Sequence, residues 1–219
     1  MSLRKFWPGL AALALAFAVG LWLWGQLPDQ VPVHWNIRGE PDRWGAPATA
    51  VFLIPAIGCW LALLLAVLPK LDPKRDNHAL HGPAYRLTGN AVLVFLSAVH
   101  GVVLAASAGY PVQMNRVLAI GLGLLLAIIG NVLTQARQNW FFGIRTPWTL
   151  SSERAWRETH RLGGRLMLLG GLLLVAIGAF APGWFGVGIV LGAVAPALVA
   201  VVYSYIVWKR DQAPHGGTP

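Results

Sequence analysis

Pro47-Ala48-Thr49-Ala50-Val51-Phe52-Leu53-Ile54-Pro55-Ala56-Ile57-Gly58-Cys59-Trp60-Leu61-Ala62-Leu63-Leu64-Leu65-Ala66-Val67-Leu68 contains no charged side chain. A helix of about 20 such residues is as long as the hydrocarbon core of a bilayer is thick. Five more apolar windows of about this length lie along the chain, roughly Phe6 to Gly25, Leu87 to Gly109, Val117 to Thr134, Leu162 to Ala181 and Trp184 to Val207, with Arg165 their one Lys or Arg. Little more than Pro182 and Gly183 separates the last two, which forces a tight helical hairpin. Hydrophobic residues make up 56% of the 219 and charged residues 11%, with a mean hydropathy of +0.59. No soluble domain of this length needs so much apolar surface. The spacing predicts an all-α integral membrane protein with six transmembrane helices.

The first window follows Arg4 and Lys5 and is rich in alanine, as a cleaved signal peptide would be. It is longer than a signal h-region, and Leu21-Trp22-Leu23-Trp24 carries it past any small-residue cleavage site, so it reads as a retained helix. Cys59, the single cysteine, lies inside the second window, where no intrachain disulfide or thiolate metal site can form.

Orientation comes from the loops. Arg4, Lys5, Lys70, Lys74, Arg75, Arg86, Arg137, Arg145, Arg154, Arg157, Arg161, Arg165, Lys209 and Arg210 fall on one set of alternating segments, which is 14 of the 17 basic residues. Only Arg38, Arg43 and Arg116 fall on the other, balanced by Asp29, Glu40 and Asp42. The positive-inside rule makes the first set cytoplasmic, with both termini there. The formal charge of +9 is therefore cytoplasmic too. Attraction to anionic lipid heads accounts for it, so no direct nucleic-acid partner is required. Trp7, Trp24, Trp44, Trp140, Trp184 and Trp208 lie near predicted span ends, as an interfacial belt would.

The windows hold no Asp, Glu or Lys. That weakens a proton-coupled transporter or an intramembrane hydrolase, which place ionisable groups at membrane depth. His100 is the one histidine inside a window, and a lone histidine there more often bonds a neighbouring helix than carries protons. Asn131 and Thr134 read similarly as interhelical hydrogen-bonding groups. Gly121 and Gly123, Gly170 and Gly171, and Gly186, Gly188 and Gly192 supply small faces for close helix packing.

Two loops carry the remaining information. The first, 27–46, contains Leu27-Pro28, Pro32, His34-Trp35-Asn36, Gly39 and Pro41-Asp42. Pro28 and Pro32 favour extended backbone, and Asn36 to Gly39 suits a turn. His34 with Asp29, Glu40 and Asp42 offers imidazole and carboxylate metal ligands in no specific pattern. The alternative is a compact loop whose polar groups cap its own turns.

The second loop spans 135–165. Ser151 is a candidate N-cap, with Ser152 and Glu153 at the positive end of a short helix dipole. That helix would carry the Glu153 and Arg157 pair on one face and Trp156, His160 and Gly163 on another. It would lie among lipid headgroups before turning into the fifth span. No nucleophile with an orienting acid is specified by the spacing around His160, and the segment reads either as an interfacial elbow or as a partner-binding surface.

With Asn139, Gly143-Ile144-Arg145-Thr146-Pro147-Trp148-Thr149, Ser152-Glu153, Trp156 and Thr159-His160-Arg161-Leu162-Gly163-Gly164, this loop resembles the signature of the SdpI family of bacterial toxin-immunity membrane proteins. The first loop resembles the N-terminal domain of unknown function that often accompanies that signature. The resemblance implies a multi-pass protein of the bacterial cytoplasmic membrane, without a cofactor. It implies protection of the cell from a secreted peptide toxin met at the outer face. In the family's named role it also implies a transcriptional repressor held at the cytoplasmic face. The chain then divides into a two-span unit, residues 1–69, and a four-span unit, residues 70–219. The residues expected to contact partners or build the motif are His34, Trp35, Asn36, Gly39 and Asp42 outside. Inside they are Asn139, Gly143, Arg145, Thr146, Pro147, Trp148, Thr149, Trp156, Thr159, His160, Arg161 and Gly163. A transporter and a metal-dependent enzyme using His34 or His160 are the alternatives.

Overall fold

A computed structural model describes residues 2–74 and 77–212. Six helical segments are long and apolar enough to cross a membrane: Leu3–Gln26, Pro47–Leu71, Gly82–Ser107, Met114–Leu133, Glu153–Phe180 and Pro182–Gln212. Their main helices are α1 (Trp7–Leu23), α2 (Pro47–Leu71), α3 (His78–Ser107), α4 (Met114–Leu133) and α6 (Glu153–Phe180). The last segment is built from α7 (Phe185–Ile189), a π turn over Val190–Val194 and α8 (Ala195–Gln212). A one-turn helix, α5 (Pro147–Ser151), precedes α6. Leu15, Trp22, Trp60, Leu169 and Leu198 are each more than 60% exposed on the outside of the bundle, a surface that lipid rather than water would cover.

Six crossings place Ser2 and Gln212 on one face, with the 134–152 segment and most basic residues; it is called here the basic face. On the opposite face, the loop expected to combine extended backbone with a turn at Asn36 to Gly39 is a hairpin of β1 (Val31–Trp35) and β2 (Pro41–Gly45). The strands pair antiparallel from Val31↔Gly45 to Trp35↔Pro41, with irregular register around His34. Val31 is fully buried against Ala50 and Val103, so this apolar anchor, more than the short ladder, seats β1 on α2 and α3. The membrane-spanning part is helical as expected; the hairpin is the addition.

Packing groups the spans three and three: α3 lies along α1 and α2, while α4, α6 and α8 form the second group and α3 also touches α4. The units that the resemblance implies, residues 1–69 and 70–219, divide the sequence, and α3 of the second packs on the two spans of the first. Close approach of α4 and α6 depends on glycine. A Cβ at Gly123 would sit 2.6 Å from the Gly171 carbonyl, and one at Gly164 would sit 2.7 Å from the Gly130 carbonyl. Gly170 meets Gly192 in the same way across to the last span. Pro196 has no N–H to give the Gly192 carbonyl, and the π turn lies where that rung is lost. Gly121 instead faces Phe95.

Three local expectations are corrected. Asn131 and Thr134 are exposed, and no interhelical hydrogen bond is found for them among the described residues. His100 is fully buried between α1, α2 and α3, and neither ring nitrogen has a hydrogen-bond partner. Ser152, one residue beyond Ser151, caps α6: its hydroxyl accepts from Ala155 N–H at 3.0 Å. From there α6 runs unbroken into the fifth span, with no separate interfacial helix to turn.

Candidate functional site

The sequence-expected residues form two assemblies on opposite faces. At the hairpin, Asn36 organises the turn. Its side-chain oxygen accepts from Arg38 N–H at 2.8 Å and Glu40 N–H at 3.1 Å, and its amide donates to Glu40 Oε2 at 3.0 Å. Gly39 has φ +80°, and a Cβ there would meet the Asn115 side chain. Asn115, at the start of α4, donates to the Ile37 carbonyl at 3.1 Å, so the hairpin tip is docked across to the second helix group. His34 Nδ1 donates to Asp42 Oδ1 at 2.5 Å across the strands, and Trp35 packs partly buried beneath. Glu40 is turned toward Asn36 rather than toward His34. Among the described residues no three His, Cys, Asp or Glu side chains gather as metal ligands.

On the basic face the signature residues buttress one another. Asn139 is fully buried and uses all four of its hydrogen-bonding positions. Its oxygen accepts from Phe141 N–H (2.9 Å) and Phe142 N–H (2.7 Å), and its amide donates to the carbonyls of Arg137 and Phe142 (both 2.8 Å). This tight coil turns Phe142 inward, edge-on to Tyr85 of α3 with centroids 5.6 Å apart. Gly143 follows at φ +112°, where a side chain would run into the His160 ring.

His160 Nδ1 donates to the Trp156 carbonyl at 2.8 Å, and its Nε2 accepts from Ile144 N–H at 3.0 Å. That pair of partners selects the neutral Nδ1–H tautomer. Both nitrogens are engaged, so none is free for a metal or a substrate. The ring stacks on Trp156, centroids 4.0 Å apart, and Trp156 Nε1–H donates to the Ala136 carbonyl at 2.8 Å. Trp156 and His160 are each 1% exposed. The expectation of an exposed aromatic face is therefore corrected, because in this helix the aromatic face is the one packed inward.

Thr146 and Thr149 cap α5 reciprocally: Thr146 Oγ1 accepts from Thr149 N–H at 3.1 Å and Thr149 Oγ1 from Thr146 N–H at 2.9 Å. Pro147 occupies the first helical turn, where its missing N–H costs nothing. Thr146 also meets Ser204 Oγ of α8 at 3.0 Å. Trp148 packs on Tyr205, with centroids 5.1 Å apart. Gly163 makes room for Ile144. Thr159 is fully buried, with no hydrogen-bond partner for its hydroxyl. Arg145 is exposed and donates to the Trp140 carbonyl at 2.6 Å; Arg161 is exposed.

Three participants escaped the sequence reading. Gln138 donates to the carbonyls of Thr149 and Leu150, both at 2.8 Å, and accepts from Lys74 Nζ. Asp72, 3% exposed, accepts from Lys74 N–H at 2.7 Å and Trp140 N–H at 3.0 Å. Asp211 accepts from the Ser152 hydroxyl at 2.7 Å. Asp72 was visible as an acid set among Lys70, Lys74 and Arg75; the glutamine left no signal.

Six apolar crossings joined by two ordered loop assemblies define a multi-pass integral membrane protein. Residues 135–205, which hold the basic-face assembly, match the SdpI/YfhL protein family, and residues 11–59, which hold the hairpin, match a domain of unknown function (DUF1648). Both matches fall on the two loops whose residues carry the resemblance to that family and its accompanying N-terminal domain. It is 27% identical over 199 residues to "Immunity protein SdpI" of Bacillus subtilis, covering 90% of this chain and 93% of that one. It is 34% identical over 62 residues to an "Uncharacterized protein" of Archaeoglobus fulgidus, covering 28% of this chain and 33% of that one. No solved structure matches it.

Proposed function

We propose that this protein is a non-enzymatic immunity protein of the cytoplasmic membrane, protecting its cell from a secreted antimicrobial peptide. The observation that carries this reading is the likeness to the immunity protein along nearly the whole of both chains. With the basic face inside, the hairpin faces the incoming peptide. It presents Ile37 and Trp44, 62% and 57% exposed, beside the exposed Arg38 and Arg43. Apolar and cationic groups side by side suit an amphipathic peptide.

Expression in a peptide-sensitive strain should raise the inhibitory peptide concentration several-fold, and the R43Q/W44A variant should lose most of that gain at equal membrane abundance. Equal killing with and without the protein, for every peptide tried, refutes immunity. Full protection by the variant refutes only the role of the hairpin.

A second role, holding a repressor at the membrane, would use the basic face. The buttressed loop there leaves Arg145 and Pro147 exposed, with Trp156 and His160 as scaffold. Cell fractionation tests it: the repressor should move to the membrane fraction when this protein is expressed, and unchanged solubility defeats the idea.

A further inference from the structure

A cleft of about 540 Å³ opens on the basic face between residues 134–138, just past the end of α4, and the first two turns of α6. Its charged lining is Arg137, Glu153, Arg157 and Arg161. Glu153 is engaged by Arg157 at 3.3 Å. Among the described residues, no carboxylate pairs with Arg137 or Arg161. Gln138 and Asn77 complete the wall, but Gln138 is committed to Thr149, Leu150 and Lys74, and the Asn77 amide donates to the Gln138 carbonyl at 2.8 Å. Among the described residues, what the cleft has to spare is two guanidiniums, ten N–H donors in planar forks suited to phosphate oxygens.

Its depth is that of a lipid headgroup. Leu133 ends the α4 span one residue before the wall begins, and Leu162 starts the apolar part of α6 one residue after Arg161. At helical spacing, the exposed stripe below Arg157 and Arg161 continues through Arg165 to Leu169 and Leu172. On α4 the stripe below Gln135 runs through Asn131 and Ile128 to Leu124, all exposed. Cation above and hydrocarbon below is the profile of a phospholipid.

We propose that this cleft is a site for one anionic phospholipid, its phosphate held by Arg137 and Arg161 and its acyl chains laid along the stripes of α4 and α6. Diffuse attraction of a basic surface to lipid is not enough to describe it, because Arg154 on the other side of α6 is equally basic. Arg154, however, is occupied by Glu158 at 3.0 Å and approached by Asp211 at 3.9 Å. The assignment does not depend on the immunity reading.

Native mass spectrometry of the purified full-length protein with phosphatidylglycerol or phosphatidylethanolamine tests the site. At equal lipid concentration the phosphatidylglycerol adduct should dominate at least fivefold. R137Q/R161Q should reduce it about tenfold or more, since each basic group near anionic lipid is worth about 1 kcal/mol. R137K/R161K should keep much of it, and R154Q should leave it unchanged. Matching melting temperatures show that all variants are folded, as expected for exposed arginines. Equal retention of the two lipids, or an equal loss in R154Q, overturns the proposal. Displacement of the lipid by glycerol 3-phosphate at matched concentration would assign the site to a soluble phosphate instead. Displacement by an acidic peptide would assign it to a protein partner.

Discussion

Gly130→Leu is expected to abolish the folded protein, leaving aggregate where the parent chain elutes as a single species in detergent. A Cβ at Gly130 would lie 2.5 Å from the Leu168 nitrogen and 2.6 Å from the Gly164 carbonyl oxygen. Both neighbours are main chain of α6, so neither can rotate away as a side chain would. Overpacking a core usually costs about 1–3 kcal/mol, and this case should exceed that range because only separation of the helices relieves it. In lipid, that contact is itself a source of association, since burying leucine against leucine gains nothing over leucine against acyl chain. Gly101→Leu provides the comparison: it too lies in a span, but a Cβ there meets nothing within 4 Å. Its yield and melting temperature should equal those of the parent. A monodisperse Gly130→Leu protein with parental melting would show that α4 and α6 do not cross at these glycines.

Asn139→Leu should be the most damaging change outside the spans. The substitution strands the Phe142 N–H and carbonyl in the buried part of the basic-face loop, and takes the partner from the Phe141 N–H and Arg137 carbonyl at its half-buried edge. Each stranded group costs about 1–3 kcal/mol, which brings the total to the order of 4 kcal/mol or more. The coil that aims Phe142 at Tyr85 loses the side chain that makes those four bonds. The melting temperature should fall by well over ten degrees, and trypsin should cleave after Arg145 much faster than in the parent. Asn131→Leu, on the exposed side of α4, should change neither. If Asn139→Leu melts with the parent, the four bonds are not what holds the loop.

The spans were legible because hydrocarbon imposes one requirement on every residue it touches, so an apolar run reads the same whatever its neighbours. Their limits shifted by only a few residues, except at the starts of α3 and α6, where the helix begins nine residues earlier, at His78 and Glu153. Helix pairing is another matter. Gly123 and Gly171 stood out in the sequence as small residues, but nothing in either span says which glycine meets which, and the Gly130 with Gly164 contact went unread for that reason.

The two loops were legible as motifs, but which face of the second packs inward was not. Trp156 and His160 lie on one helical face beside Arg157 and Arg161 on another, and periodicity separates the faces without saying which points inward. The hairpin hid for a different reason: Pro32 and Pro41 weaken a strand pattern, and its support comes from Val31 packing against α2 and α3, a long-range contact. Gln138 and Asp72 gave little warning because their partners are backbone groups or distant residues.

The two docking points have a joint mechanical consequence. Asn115 clasps the hairpin tip to α4 on one side of the bilayer, and Asp72, Lys74 and Asn77 clasp the 138–140 segment on the other. Each clasp ties the α1–α3 group to the second group. Alternating-access export requires the halves to rock, parting at one mouth and then the other, and here each mouth is latched by buried or half-buried polar bonds. Rocking would have to break those bonds at one mouth and then at the other. If it meets a peptide as proposed, these clasps favour a fixed obstacle over a pump.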